Sequence, residues 1–162
     1  MSEKLDSIDR KLLQLLQQDS HLSAADLAER VGLSQSPCWR RINRLQHEGY
    51  IRKKVALLDR HKLGLGIVVF VNIKLSAHGW NMLNEFEEAI VGFAEVVECW
   101  TMSGGMDYTL RVVTQDIESY EQFLRRRLLQ LPHIQEAQSN ITMTEVKNTT
   151  ELPLLPLPRS QR

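Results

Sequence analysis

Apolar positions recur at helical spacing in three short bursts over the first fifty residues. Ile8, Leu12, Leu15 and Leu16 share one face of a first helix, with Asp9-Arg10-Lys11 on the other. Asp6 or Ser7 caps its start, and Asp19-Ser20-His21 ends it. Ser23-Ala24-Ala25-Asp26 fits a capping box with Asp in place of Glu, opening a second helix that buries Leu22, Leu27 and Val31 and closes at Gly32. Ser34 then starts a third helix, and Pro37 is tolerated in its first turn. Cys38, Ile42 and Leu45 form its inner seam, and Gly49 ends it. Two helices joined by a tight Gly-containing turn make a helix-turn-helix, whose second member is the recognition helix.

After Tyr50 the pattern changes. Ile51, Val55, Leu57 and Leu58 predict a strand beside the basic cluster Arg52-Lys53-Lys54, and Asp59 to Gly64 reads as a turn or hinge. Ile67, Val69, Val71, Ile73 and Leu75 then alternate with other residues as a strand with one apolar face. Trp80, Leu83, Phe86 and Ile90 return to helical spacing. Strands follow at Val96–Met102 and Asp107–Val113, separated by Ser103-Gly104-Gly105. Asp116 caps a last helix with Ile117, Tyr120, Leu124, Leu128 and Leu131 inward; Pro132 ends it, and Ser139–Lys147 predicts a fourth strand. The order is β-α-β-β-α-β, a ferredoxin-like domain. The expected fold class is therefore α+β: a winged helix-turn-helix over 1–58, a hinge at 59–64, a ferredoxin-like domain over 65–150, and a Pro-rich tail over 151–162 that packs as an arm or stays irregular.

Composition sharpens this only slightly. The net charge of zero hides 11 basic against 8 acidic residues up to Arg60, and 9 against 12 beyond it. A mildly basic front fits a nucleic-acid module. Cys38 and Cys99 both read as buried and have neither metal-ligand spacing nor a disulfide framework. The first residues carry no apolar run of the signal-peptide kind, and Ile67 to Val71 is too short to span a bilayer, so a cytoplasmic protein without cofactor or metal is expected.

The third helix carries the candidate chemistry. Its outer pole holds Ser36, Arg40, Asn43 and His47, flanked by Trp39 and Arg44. Arg can pair with guanine and Asn with adenine in a major groove, although a solvated basic face fits this helix equally well. Lys53 and Lys54 stand where phosphate contacts would position the module, or where a connector merely stays in solvent. The Ser103–Asp107 loop is either a plain glycine turn or a cradle in which exposed N–H groups take a carboxylate and Asp107 an ammonium group.

The segments Leu5-Asp6-Ser7-Ile8-Asp9-Arg10-Lys11-Leu12-Leu13, Leu27-Ala28-Glu29-Arg30-Val31-Gly32-Leu33-Ser34, Ser36-Pro37-Cys38-Trp39-Arg40-Arg41-Ile42 and Gly104-Gly105-Met106-Asp107-Tyr108, in this order, resemble the Lrp/AsnC (feast/famine) family of transcription regulators. Pro37-Cys38-Trp39 and Asn148 to Pro153 look like its cysteine-responsive subgroup. The resemblance implies dimers formed through the C-terminal sheets and assembling further into octamers, double-stranded DNA as partner, and an amino acid or related metabolite as effector. It directs Ser34, Gln35, Ser36, Trp39, Arg40 and Arg44 toward DNA, and leaves Arg41 between bracing the domain and reaching a phosphate. Gly104, Asp107 and Tyr108 carry over as effector residues, and Met102, Ser103 and Ser139 join them from neighbouring positions.

The expected function is a sequence-specific, non-enzymatic transcription regulator responsive to an amino-acid-type effector. Two alternatives stand beside it: a sirohaem decarboxylase of similar architecture, and a DNA-organising protein of low specificity. The enzyme needs His and Arg residues converging on a tetrapyrrole. The five histidines here share no face, and His78 is the one placed to matter.

Overall fold

The computed structural model describes residues 5–76 and 79–154; His78 and the tail beyond Leu154 lie outside them. Contacts divide the chain into two units, one of residues 5–57 with 147–154, the other of 58–146.

The first unit is a three-helix cluster of α1 (Ser7–Gln18), α2 (Ala24–Val31) and α3 (Gln35–His47). Both α1 and α2 open with complete capping boxes, Asp6 with Asp9 and Ser23 with Asp26, which satisfy N–H groups that have no intrahelical partner. Gly32 ends α2 at φ 70°, a conformation that costs residues with a Cβ, and so allows the sharp turn into α3. Leu12, Leu16, Leu27, Ala28, Cys38 and Leu45 form the core. The strand expected at Ile51–Leu58 does not form. Residues 52–58 have no ladder partner, because this unit contains no other strand among its described residues.

The second unit is a four-stranded antiparallel sheet in the order β2-β3-β1-β4, with β1 at Ile67–Leu75, β2 at Val96–Thr101, β3 at Tyr108–Thr114 and β4 at Ile134–Ile141. Helices α4 (Trp80–Val91) and α5 (Ile117–Arg126) share one core with it: Val69, Val71, Ile73, Leu110 and Val112 of the sheet meet Phe86, Ile90, Tyr120 and Phe123. Each such side chain contributes about 1.5–3 kcal/mol on burial. This is the expected βαββαβ arrangement. Its fourth strand lies earlier than Ser139–Lys147. His133 turns the chain at φ 69° just after Pro132, and Ile134 and Ala137 take the inward positions. Thr142 donates its N–H to Val68 O near the start of β1, which leaves Met143 and Val146 beyond the ladder and exposed. Trp80 and Ile117, each the first residue of its helix, are exposed rather than inward; Cys99, read as buried, is exposed because its strand β2 lies at the sheet edge.

Candidate functional site

The placement of α3 is set by α1. Asp9 sits inside the cluster at 1% exposure, not on the outer face where the sequence pattern puts it. Its carboxylate accepts from Arg41 Nη1 at 2.8 Å, from Arg44 Nη2 at 2.5 Å and from the Asp6 backbone N–H at 3.2 Å. Arg41 also reaches Asp6 at 2.6 Å. A buried carboxylate is costly unless charged donors surround it, and the two guanidinium groups supply them. Arg44, expected toward DNA, is therefore turned to α1, and Arg41 makes bracing contacts to Asp6 and Asp9. The reason is a matched spacing: acids at positions 6 and 9 of one helix face bases at positions 41 and 44 of another. That i, i+3 pairing was the available signal for Asp6 and Asp9, which sequence reasoning missed.

What remains outward on α3 is a continuous polar surface. Ser34, Gln35, Ser36, Trp39 and Arg40 are all exposed, and Arg40 makes no ion pair among the described residues. Ser34 occupies the N-cap position without a side-chain capping bond. An open groove of about 350 Å3 runs beside them, lined by Pro37, Arg40, Arg41 and Arg44. Cys38 lies wholly inside, and burial pushes its thiol above the ordinary range, so it packs as a small hydrophobe. Lys53 and Lys54 are exposed in the extended segment after α3, where Lys54 Nζ reaches Ser20 O at 3.5 Å.

The glycine loop joins β2 to β3. Met102, Ser103, Gly104 and Gly105 are exposed, and Gly104 adopts φ 140°, which disfavours any side chain. Asp107 anchors the loop: its N–H donates to Ile73 O, its O accepts from Met102 N–H, each at 2.8 Å, and its Oδ2 accepts from Leu75 N–H at 2.7 Å. One carboxylate oxygen thus closes the end of β1 rather than pointing wholly outward. Tyr108 and Ser139 do not join this loop. Tyr108 is buried among the helices, 4.7 Å from the Phe86 ring, and its hydroxyl donates to Glu87 Oε1 at 2.8 Å. Burial and the Glu87 carboxylate both raise its titration well above the usual tyrosine range. Ser139 lies opposite Val71 on β4 and shares a 2.5 Å hydrogen bond with the Tyr120 hydroxyl of α5. Asp107 thus holds the base of the loop, while Tyr108, the first residue of β3, turns into the core.

No helix among the described residues is long and apolar enough to cross a membrane, and no group of His, Cys, Asp or Glu among them could hold a metal ion.

A helix-turn-helix with a cationic outer helix, followed by a βαββαβ domain with an open glycine loop, defines a two-domain DNA-binding regulator with a ligand-sensing module. Comparison gives the family. Residues 5–52 match the winged helix-turn-helix DNA-binding model, and residues 68–152 match the Lrp/AsnC ligand binding domain. The chain is 43% identical over 150 residues to the DNA-binding transcriptional activator DecR of Escherichia coli, covering 93% of this chain and 99% of that protein. It is similar to an AsnC family transcriptional regulator from Agrobacterium tumefaciens at 47% identity and TM-score 0.89, covering 93% of this chain and 97% of that one. A transcriptional regulator from Neisseria meningitidis in complex with L-Met gives 34% identity and TM-score 0.90, covering 94% and 98%. This protein belongs to the Lrp/AsnC family and is a DNA-binding transcription regulator; these relatives are regulators, not enzymes.

Two outcomes follow from the Asp9 cluster. Arg44→Ala should destabilise the helical unit by about 1.5–3 kcal/mol, the worth of a hydrogen bond to a charged group, read by urea unfolding. Asp6 is held below the usual carboxylate range, first by the Asp9 backbone N–H and then by Arg41, against the opposing effect of burial. A depressed folded pKa contributes stability that is present above the unfolded value near 3.8 and is lost as pH falls through the folded one. Asp6→Asn keeps a good N-cap but no charge. Its melting temperature should fall below wild type at neutral pH and converge with it as the pH falls below 3.8 and through the depressed folded value; a constant gap across that range contradicts the assignment.

Proposed function

We propose that this regulator reads specific duplex DNA through Ser34, Gln35, Ser36, Trp39 and Arg40, with Lys53 and Lys54 on phosphates, and that an amino-acid-type effector at the Met102–Asp107 loop modulates its assembly or affinity. The observation that carries the reading is the division of the α3 arginines. Arg41 and Arg44 are committed to Asp9, while Arg40 is exposed on the same helix, as are Ser36 and Trp39. A helix so braced can present a guanidinium to guanine without first paying to order itself.

Three features support the sensing half. The exposed glycine loop offers backbone N–H groups for a carboxylate, Asp107 at its base carries the charge that suits an ammonium group, and the Neisseria relative is in complex with L-Met. Tyr108 and Ser139 support that site from behind, by fixing β3 and β4 against the helices. The sheet face away from the helices carries Phe70 and Trp100, both exposed, beside the Arg111–Glu98 ion pair at 2.7 Å and the Thr109–Asn72 hydrogen bond. A second copy covering this face gives a dimer, which further copies extend to an octamer, and the place of action is the nucleoid in the cytoplasm.

Arg40→Ala should lower the ratio of specific to random-duplex affinity about tenfold at fixed salt, measured by fluorescence anisotropy. Equal losses on both duplexes, with a salt slope smaller by about one, would make Arg40 a phosphate contact instead. Asp107→Asn should preserve DNA binding while abolishing the stabilisation that an L-amino acid gives the wild type in thermal-shift titration. Retention of that stabilisation would move the effector site elsewhere.

A further inference from the structure

The C-terminal segment does not end with the ligand-binding domain. Beyond Thr142 the chain leaves the sheet and runs back to α1, so that residues 147–154 group with the helices. There Gln17 treats Leu152 as a neighbouring strand would. Its Nε2 donates to Leu152 O and its Oε1 accepts from Leu152 N–H, each at 3.0 Å. Gln18 Nε2 reaches Glu151 Oε2 and Arg10 Nη1 reaches Leu154 O, each at 3.4 Å. Positions 10, 17 and 18 share one face of α1, so the segment lies along the helix. Leu152 and Leu154 line a groove of about 660 Å3 with Leu13 and Leu16 of α1 and Ile51 and Val55 of the following segment. Polar registration beside an apolar groove is how an extended peptide is recognised.

We infer that residues 149–154 are a strap by which the chain leaving the ligand-binding domain grips the DNA-binding domain, adding a hydrogen-bonded connection to the covalent one through residues 58–66. The grip falls on the helix that positions the recognition helix. Arg10 follows Asp9 directly, and Asp9 holds Arg41 and Arg44. Strap, α1 and α3 are thus a contiguous series of hydrogen-bonded elements, the kind of physical connection along which coupling travels. Releasing the strap loosens α1, and with it the presentation of Arg40.

The test uses the full-length protein, its Gln17→Ala variant and a chain ending at Asn148. The DNA probe is a duplex selected from a random pool by the wild type. Ala keeps α1 helical, so the first variant folds even if the truncation does not. Hydrogen exchange of the 149–154 peptide should be slow in the wild type and about tenfold faster in Gln17→Ala, with β1 and β3 unchanged. DNA affinity should fall about two- to tenfold, the range given by lost hydrogen bonds, with an unchanged salt slope because no phosphate contact is removed. Exchange of 149–154 in the wild type at the rate of unstructured chain overturns the strap. Slow exchange in the wild type with unaltered DNA affinity in Gln17→Ala overturns its role in presenting α3. Neither outcome depends on the effector, so failure of the sensing proposal is read separately.

Discussion

The carboxylate of Asp9 is buried, and a buried anion must be surrounded by donors or it destabilises the fold. Three donors converge on it, one from the start of α1 and two from α3. The same side chain therefore completes a helix cap and fixes the rotation of a second helix about its own axis. That rotation divides the α3 cations into two classes: Arg41 and Arg44 hold the domain, and Arg40 faces away from it. The cluster gives conformational definition more than net stability, since each guanidinium retains some exposure and the pair must offset its own desolvation.

The ligand-binding domain has a comparable constraint at Asp107. A glycine-rich connection could fray the ends of the strands it joins. Here the backbone of Asp107 bonds to both Ile73 and Met102, and its carboxylate takes the Leu75 N–H. The loop is consequently exposed at its tip and held at its base. Directly after it, Tyr108 is drawn into the core against Phe86 and Glu87. The residue after the loop is thus joined to α4 by a half-buried hydrogen bond.

Much of this architecture was legible from residue order. Three amphipathic helices with Ser23 and Gly32 between them specified the helix-turn-helix, and the alternation from Ile67 to Leu75 specified a strand covered on one face. Those elements are local: capping, period and turn residues depend on neighbours within a few positions. Strand ends were less legible. Ladder length depends on the partner, and β4 runs out opposite Val69, near the start of β1. The extended run after Ile51 has strand-like residues but no partner strand among the described residues, so propensity alone could not make it one.

By itself, then, the sequence determined the two folds, the cationic helix and the glycine loop, because each is written in contiguous residues. Tertiary structure decided which members of those sets are exposed. Arg44 and Arg40 differ little in chemistry; only the approach of Asp9, 35 residues from Arg44 along the chain, separates a brace from a candidate base contact. Tyr108 and Asp107 are adjacent, yet one turns into the core and the other holds the base of the loop. The return of Leu152 to Gln17, across 135 positions, has no local signal at all. Such pairings are chosen by the free energy of the assembled fold, in which distant donors and acceptors first come within bonding distance.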